Sequence, residues 1–294
     1  MWIYEPSKVN NDLYMLGTKA NPLYLLKTGQ EWLLIDGGML RDAALVQAQL
    51  KAVVPDVSHV RHWFVTHSHF DHCGLLANLL PDATLYASAT AIKNLLTDKY
   101  RAFIYKLQRS FVPGDTGGHT SNPYDALATK KFVPVGDGDV LTIGEHTFTV
   151  LATPGHSDCS LSLYSDHQYL FAADAFGEMI GPDDWFPLPF QSPPQYLQSI
   201  ERLRQLSVSL VAVGHHGLLT GEHAAQIAGH SLRTTHQYIQ YFGDMLHQHG
   251  MEEGSRLITE KYGYNSSPFF TARMHQTSVQ KVMVILQETG YITQ

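Results

Sequence analysis

Cysteine is scarce, at two residues in 294, too few for a disulfide scaffold. Charge is scarce too: 16% of residues are charged, against roughly 25% in average usage. Bases are the minority among them, 20 Lys plus Arg to 27 Asp plus Glu, for a formal charge of −7. That balance argues against nucleic acid as a partner, because a binder needs a basic footprint to displace counterions. No apolar run approaches the length of about 18 residues that a membrane span requires. The opening MWIYEPSKVN has no basic segment leading into an apolar one. No secretory signal is visible, and the cytoplasm is the expected compartment.

Apolar residues make up 44%, near the roughly 45–50% of ordinary globular chains, so a sizeable core is expected. The length suits one large α/β domain, or one domain with an appended part. Histidine is the excess: 17 residues, nearly as many as all Lys and Arg together. Whether these imidazoles are solvated or ligating is a matter of position.

Short apolar runs split by turn-formers predict strands at LYMLG, LYLLKT and EWLLID within residues 1–36. MLRDAALVQAQLKAVV has helical spacing. HVRHWFVTHSH reads as a strand ending in a His-rich turn, LLANLLP as a short helix and ATLYAS as a strand. Residues 90–112 read as one amphipathic helix, followed by a Gly/Pro/Asn/Asp-rich loop from Pro113 to Tyr124. A second strand series follows (KFVPV, DVLTI, HTFTVLAT, LSLYS, QYLFAAD), then the helix QYLQSIERLRQL and the strand SLVAVG. Two β-rich halves with their helices outside predict two sheets packed face to face, helices on both outer faces. From Glu222 the pattern becomes helical throughout. The expected division is a sandwich over 1–221 and a helical extension over 222–294, either a cover for a sheet face or a lid over an active site.

Thr66-His67-Ser68-His69-Phe70-Asp71-His72 places four candidate ligands within six residues, just after an apolar strand. His67 and His69 are two apart, so an extended segment points both the same way; Asp71 and His72 follow in the turn. Imidazole with carboxylate suits Zn, Fe or Mn better than Ca or Mg. Three further candidates end strands in the second half: His156 after FTVLAT, Asp174 after YLFAA and His215 after SLVAV.

The order HxHxDH, then GH, then a strand-final Asp, then GH resembles the metallo-β-lactamase superfamily over about residues 10–220. The resemblance implies an αββα sandwich with a dinuclear site at one edge, holding two divalent metal ions (Zn or Fe, with Mn open). By motif position His67, His69 and His156 would hold the first metal. Asp71, His72 and His215 would hold the second, with Asp174 bridging. His216 competes with His215; the family pattern puts the ligand directly after Gly, which favours His215. A water between two dications loses a proton near neutral pH, so the implied nucleophile is a bridging hydroxide, with Asp71 and Asp174 as the catalytic carboxylates. Ser157-Asp158-Cys159-Ser160 departs from the Thr/Ser-Pro-Gly-Ser turn of many members.

LRDAALV, FVTHSHFDHCGLL, GHSD, ADAFGE and GHHGLLTG are similar to the quinolone-signal response branch of that superfamily, thioesterases of bacterial quorum sensing. This implies a metal-dependent hydrolase of an ester-like carbonyl, an acyl-coenzyme A type thioester first, with a helical lid. Glu178 matches an active-site Glu of that branch. Trp185 is expected to line an aromatic pocket, and His275 and Ser278 to face the site from the lid. A phosphodiesterase or lactonase on the same metals is the alternative, or a regulatory protein acting through partner binding. The expected partner is a small-molecule substrate, without nucleic acid or membrane. The C-terminal helices could serve a protein partner or a homodimer.

Overall fold

A computed structural model describes residues 1–112, 121–181, 184–262 and 272–292. Two seven-stranded sheets form the body. β1 (Trp2–Ile3) joins the second sheet. The first sheet holds β2 (Ser7–Lys8), β3 (Leu13–Gly17), β4 (Pro22–Thr28), β5 (Glu31–Ile35), β6 (Val60–Phe64), β7 (Thr84–Ala87) and β8 (Phe132–Pro134), side by side in that order. The second is ordered β1, β16 (Leu218–Thr220), β15 (Leu210–Val213), β12 (Tyr169–Ala173), β11 (Leu161–Ser165), β10 (His146–Ala152) and β9 (Val140–Ile143). A separate hairpin pairs β13 (Glu178–Gly181) with β14 (Asp184–Phe186). From β5 to β8 the pairs are parallel, as is β12 with β15; the others are antiparallel.

The strands read as near-continuous apolar runs because both faces are covered. Side chains alternate between two cores, as the two-residue period requires. In β5, Leu33 and Ile35 face the inter-sheet core while Trp32 and Leu34 face the outer one. In β12, Phe171 points inward and Leu170 and Ala172 outward. Between the sheets Leu26, Leu33 and Phe64 meet Phe148, Val150 and Phe171. Outside the first sheet pack α1 (Ala43–Val53), α3 (Ala89–Leu96) and α4 (Asp98–Arg109). Outside the second pack α5 (Pro193–Arg204) and the first part of α6 (Glu222–Lys261). The expected αββα sandwich with C-terminal helices is therefore the architecture. Among the described residues, no helix is long and apolar enough to cross a membrane.

Two local expectations need correction. LLANLLP is a run of turns; the helix is the preceding turn α2 (Phe70–Cys73). The amides of Leu76 and Asn78 donate three residues back, to the carbonyls of Cys73 and Leu75, and Leu80 takes left-handed backbone (φ 48°), so the segment closes as separate turns. Residues 90–112 form two helices instead of one, because Thr97 is extended (φ −82°, ψ 124°) and the carbonyl of Leu96 accepts from Arg101 Nη1. Of the loop expected over Pro113 to Tyr124, residues 113–120 lie outside the described residues. Pro123 opens a short 3-10 turn to Thr129.

The α6 span is broken at Gly250 (φ 72°, ψ −179°). It packs with α7 (Ala272–Glu288) around Tyr238, Phe242, Ile258, Val279, Val282 and Leu286, together with Phe186 and Leu188 from the sandwich.

Phe148 is fully buried between the sheets. Phe148→Ala should cost about 3–5 kcal/mol through lost transfer energy and a residual cavity, read from the midpoint of a denaturant titration. A loss below about 1 kcal/mol would mean that the inter-sheet core does not set stability.

Candidate metal centre

The site is assembled from strand ends. β5, β6, β10, β12 and β15 all stop at one edge, and each hands on polar residues: Asp36, the 66–72 segment, His156, Asp174 and His215. Three strand-end residues that are not glycine take left-handed backbone: Asp36 (φ 66°), Ala173 (φ 44°) and His216 (φ 62°). Such conformations cost roughly 1–3 kcal/mol each and persist where the surroundings hold them. Here they turn the chain sharply, so that the side chains aim across the edge. Trp2 Nε1 donates to the carbonyl of His216 at 2.7 Å, one of the contacts holding that turn. Gly214 has no alternative: a Cβ there would stand 2.0 Å from Asp174 Oδ1 and 2.9 Å from His72 Cε1.

The ligand-type atoms fall into three groups, each within 4.8 Å: His67, His69 and His156; Asp71, His72 and His215; and His67, His72 and Asp174. The first two are the trios that the resemblance implied. Asp174 turns one oxygen to each. Its Oδ2 is 3.1 Å from His156 Nε2 and 3.8 Å from His67 Nε2. Its Oδ1 is 3.4 Å from His72 Nε2 and 3.7 Å from His215 Nε2. Asp71 Oδ2 lies 3.6 Å from His215 Nε2. His216 points elsewhere, its Nε2 3.1 Å from Glu178 Oε1.

The donor set fits divalent metal ions. His67 Nε2, His72 Nε2 and Asp174 Oδ1 are buried without a hydrogen-bond partner, a costly arrangement unless a cation is shared among them. Burial holds His67 well below the usual imidazole range and His156 at about 3, so both are neutral ligands at neutral pH. Burial opposes charge on His215 as well, but Asp174, Asp71 and Glu178 outweigh it and lift it to about 10. His72 is raised in the same way by Asp174, Asp36 and Asp71. Burial alone would raise Asp174, yet His72, His156 and His215 hold it well below the carboxylate range. A cluster that retains protons to balance its carboxylates exchanges them for metal.

Outer partners fix the rings. Asp36 Oδ2 meets His72 Nδ1 at 3.0 Å, and its Oδ1 accepts from the Thr66 hydroxyl at 2.6 Å. His156 Nδ1 donates to the carbonyl of Leu188 at 3.1 Å and His215 Nδ1 to that of Ala20 at 2.8 Å, which turns each Nε2 toward Asp174. Sequence reasoning did not single out Asp36. Its one signal was that it ends a strand immediately before Gly37-Gly38.

An apolar cleft of about 580 Å³ opens on the cluster. Phe70, Tyr100, Phe103, Leu107, Leu188 and Phe190 give its apolar wall; His69, Asp71, His156, Asp174 and His215 form its polar end. Glu178, His275 and Ser278 line it as well, with Lys281 from α7. Trp185 does not. It pairs with Met179 across the β13–β14 hairpin and is buried in the outer core beside Met179 and Ala228. Residues 182–183, just before it, lie outside the described residues.

The family model of the metallo-β-lactamase superfamily matches residues 17–215. The chain belongs to the metallo-β-lactamase superfamily. It is a metal-dependent hydrolase of that superfamily. A chicken (Gallus gallus) protein, acyl-coenzyme A thioesterase MBLAC2, is 29% identical over 237 residues, 75% of this chain and 80% of its own. The human (Homo sapiens) protein of the same name is 30% identical over 220 residues, 72% of this chain and 71% of its own. Among solved structures, a metallo-β-lactamase family protein from Thermus thermophilus superposes with a TM-score of 0.66 at 19% identity. That match covers 96% of this chain and 95% of the other, a likeness of fold.

Asp36→Asn should weaken metal retention about 10–100-fold by loosening His72, measured as bound metal after dialysis against graded chelator, with near-ultraviolet circular dichroism confirming the fold. Retention equal to wild type would remove Asp36 from the centre's support.

Proposed function

We propose that this chain hydrolyses an acyl-coenzyme A type thioester at a dinuclear centre. The observation that carries the reading is the cleft: an apolar wall running to a cluster of His and Asp side chains, as an acyl chain ending in a reactive carbonyl requires. The thioesterase relatives support the same substrate class. His67, His69 and His156 would hold one cation and Asp71, His72 and His215 the other, with the Asp174 carboxylate between the two groups. When bound, zinc or iron dications supply Lewis acidity to the carbonyl and acidify water near neutral pH.

The chain's own residues do the rest. Asp71 is partly exposed at the cleft, where its carboxylate orients the attacking water. Tyr100 donates to the carbonyl of Ser68 at 2.7 Å, so its ring stays fixed as a wall. Tyr100, Phe103 and Leu107 lie along one side of α4, spaced three and four apart, and Phe103 is 56% exposed. That stripe suits an acyl chain sliding in from solvent. Glu178, held by His216, with His275 and Ser278, offers polar contacts to the substrate. A thiolate leaves readily, since thiols titrate at about 8.5, so a strong proton donor at the leaving group is unnecessary.

Residues 1–221 form the catalytic sandwich in this reading, and 222–294 the extension that supplies one wall of the cleft through α7. The cleft's apolar lining favours an acyl group over a phosphodiester.

The test is thiol release from a series of acyl-coenzyme A thioesters by metal-reconstituted protein beside a folded Asp174→Ala variant. Turnover should be present in the wild type. In the variant kcat/KM should fall by more than about a hundredfold, beyond the usual effect of outer-shell losses. Equal rates in the variant, or turnover confined to lactones or phosphodiesters, would overturn the assignment.

A further inference from the structure

At the other end of β10 lies a second cluster of ligand-type atoms, unconnected to the hydrolytic centre. His146 begins β10 after the β9–β10 turn, and Asp166 and His167 form the β11–β12 turn beside it. At about 3.4 Å per residue, β10 separates His146 from the catalytic edge by about 20 Å. We propose that His146, Asp166 and His167 form a second cation site for a zinc-like dication, clipping these two turns together.

Three observations carry this. First, the atoms converge: His146 Nδ1 is 3.4 Å from Asp166 Oδ1, His167 Nε2 is 3.9 Å from the same oxygen, and all three lie within 4.8 Å of one another. Ligands at about 2.0–2.2 Å from a tetrahedral zinc stand about 3.3 Å apart, so small rotamer shifts close the site. Second, His146 is only 6% exposed, and its Nδ1 is buried without a hydrogen-bond partner while facing Asp166. A buried ring nitrogen left open toward a carboxylate and a second imidazole has a use if a cation sits between them.

Third, the turn is held in place. Asp166 Oδ2 accepts from the amide of Thr147 at 3.0 Å, and the amide of Asp166 donates back to the carbonyl of Thr147 at 2.9 Å. That leaves Oδ1 directed at the two rings. Ser165 Oγ accepts from the amides of His167 and Tyr169. The rings of His146 and His167 lie 4.4 Å apart. Asp12 and Glu145 rim the same depression with Lys27, so the nearby carboxylates, Asp166 included, outnumber the one ammonium and favour a dication. Two imidazoles and one carboxylate select zinc or copper over calcium or magnesium, and the exposed side leaves room for water as a further ligand.

The experiment is calorimetric titration of Zn²⁺ into the full-length protein after its principal centre has been loaded with metal and desalted. The wild type should take up one further Zn²⁺ per chain. His167→Ala removes a half-exposed ring and should weaken that event at least tenfold, leaving the principal centre's metal content unchanged. Cu²⁺ at substoichiometric amounts should broaden the amide resonances of residues 144–148 and 165–168 in the wild type and spare them in the variant. No further Zn²⁺ event in the wild type, or one of equal affinity in the variant, would overturn the site.

Discussion

A carboxylate taken out of water is the constraint around which this molecule is arranged. Asp174 is 4% exposed and is surrounded by the imidazoles of His67, His72, His156 and His215. Uncompensated, such a charge costs several kcal/mol in an effective protein dielectric. Protons on His72 and His215 offset part of that cost in the bare chain, and divalent cations offset more. The strained turns at Asp36, Ala173 and His216 and the glycine at 214 follow from the same demand. They bring strand ends from two sheets close enough to share one small charged volume.

The sequence carries different parts of this with unequal clarity. The strands and the αββα layering are readable because apolar residues recur at the two-residue period on covered sheets. The 66–72 segment is readable because its ligands are local. His156, Asp174 and His215 are readable because each follows an apolar strand. Asp36 is not, since its role depends on where β5 ends relative to β6, a matter of sheet register. Left-handed backbone at Ala173 has no signature in an alanine. Trp185 shows the converse difficulty: an aromatic near site residues in sequence can point to either side of a hairpin, and here cross-strand pairing with Met179 sends it into the core. LLANLLP has helical composition, but its amides close three-residue turns and Leu80 takes left-handed backbone, which a leucine does not announce.

Cap and centre meet at Leu188. Leu188 packs among Tyr238, Phe242, Val279 and Met283 of the C-terminal helices. Its carbonyl accepts from His156 Nδ1, and its amide donates to the Tyr196 hydroxyl at 3.3 Å. The packing of α6 and α7 therefore bears on the orientation of a ring at the centre, through the backbone of Leu188. A wall that shapes the cleft also steadies the chemistry at its end.

The spread of the centre along the chain has a consequence for biosynthesis. His67, His69, Asp71 and His72 leave the ribosome long before Gly214 and His215, by roughly seven to thirty seconds at about 5–20 residues per second. For most of that interval neither Asp174 nor the central strands β12 and β15 of the second sheet have emerged. The nascent segment is a loose chelator, without the buried carboxylate that gives the finished centre its charge balance. The cluster thus closes only when β15 docks beside β12.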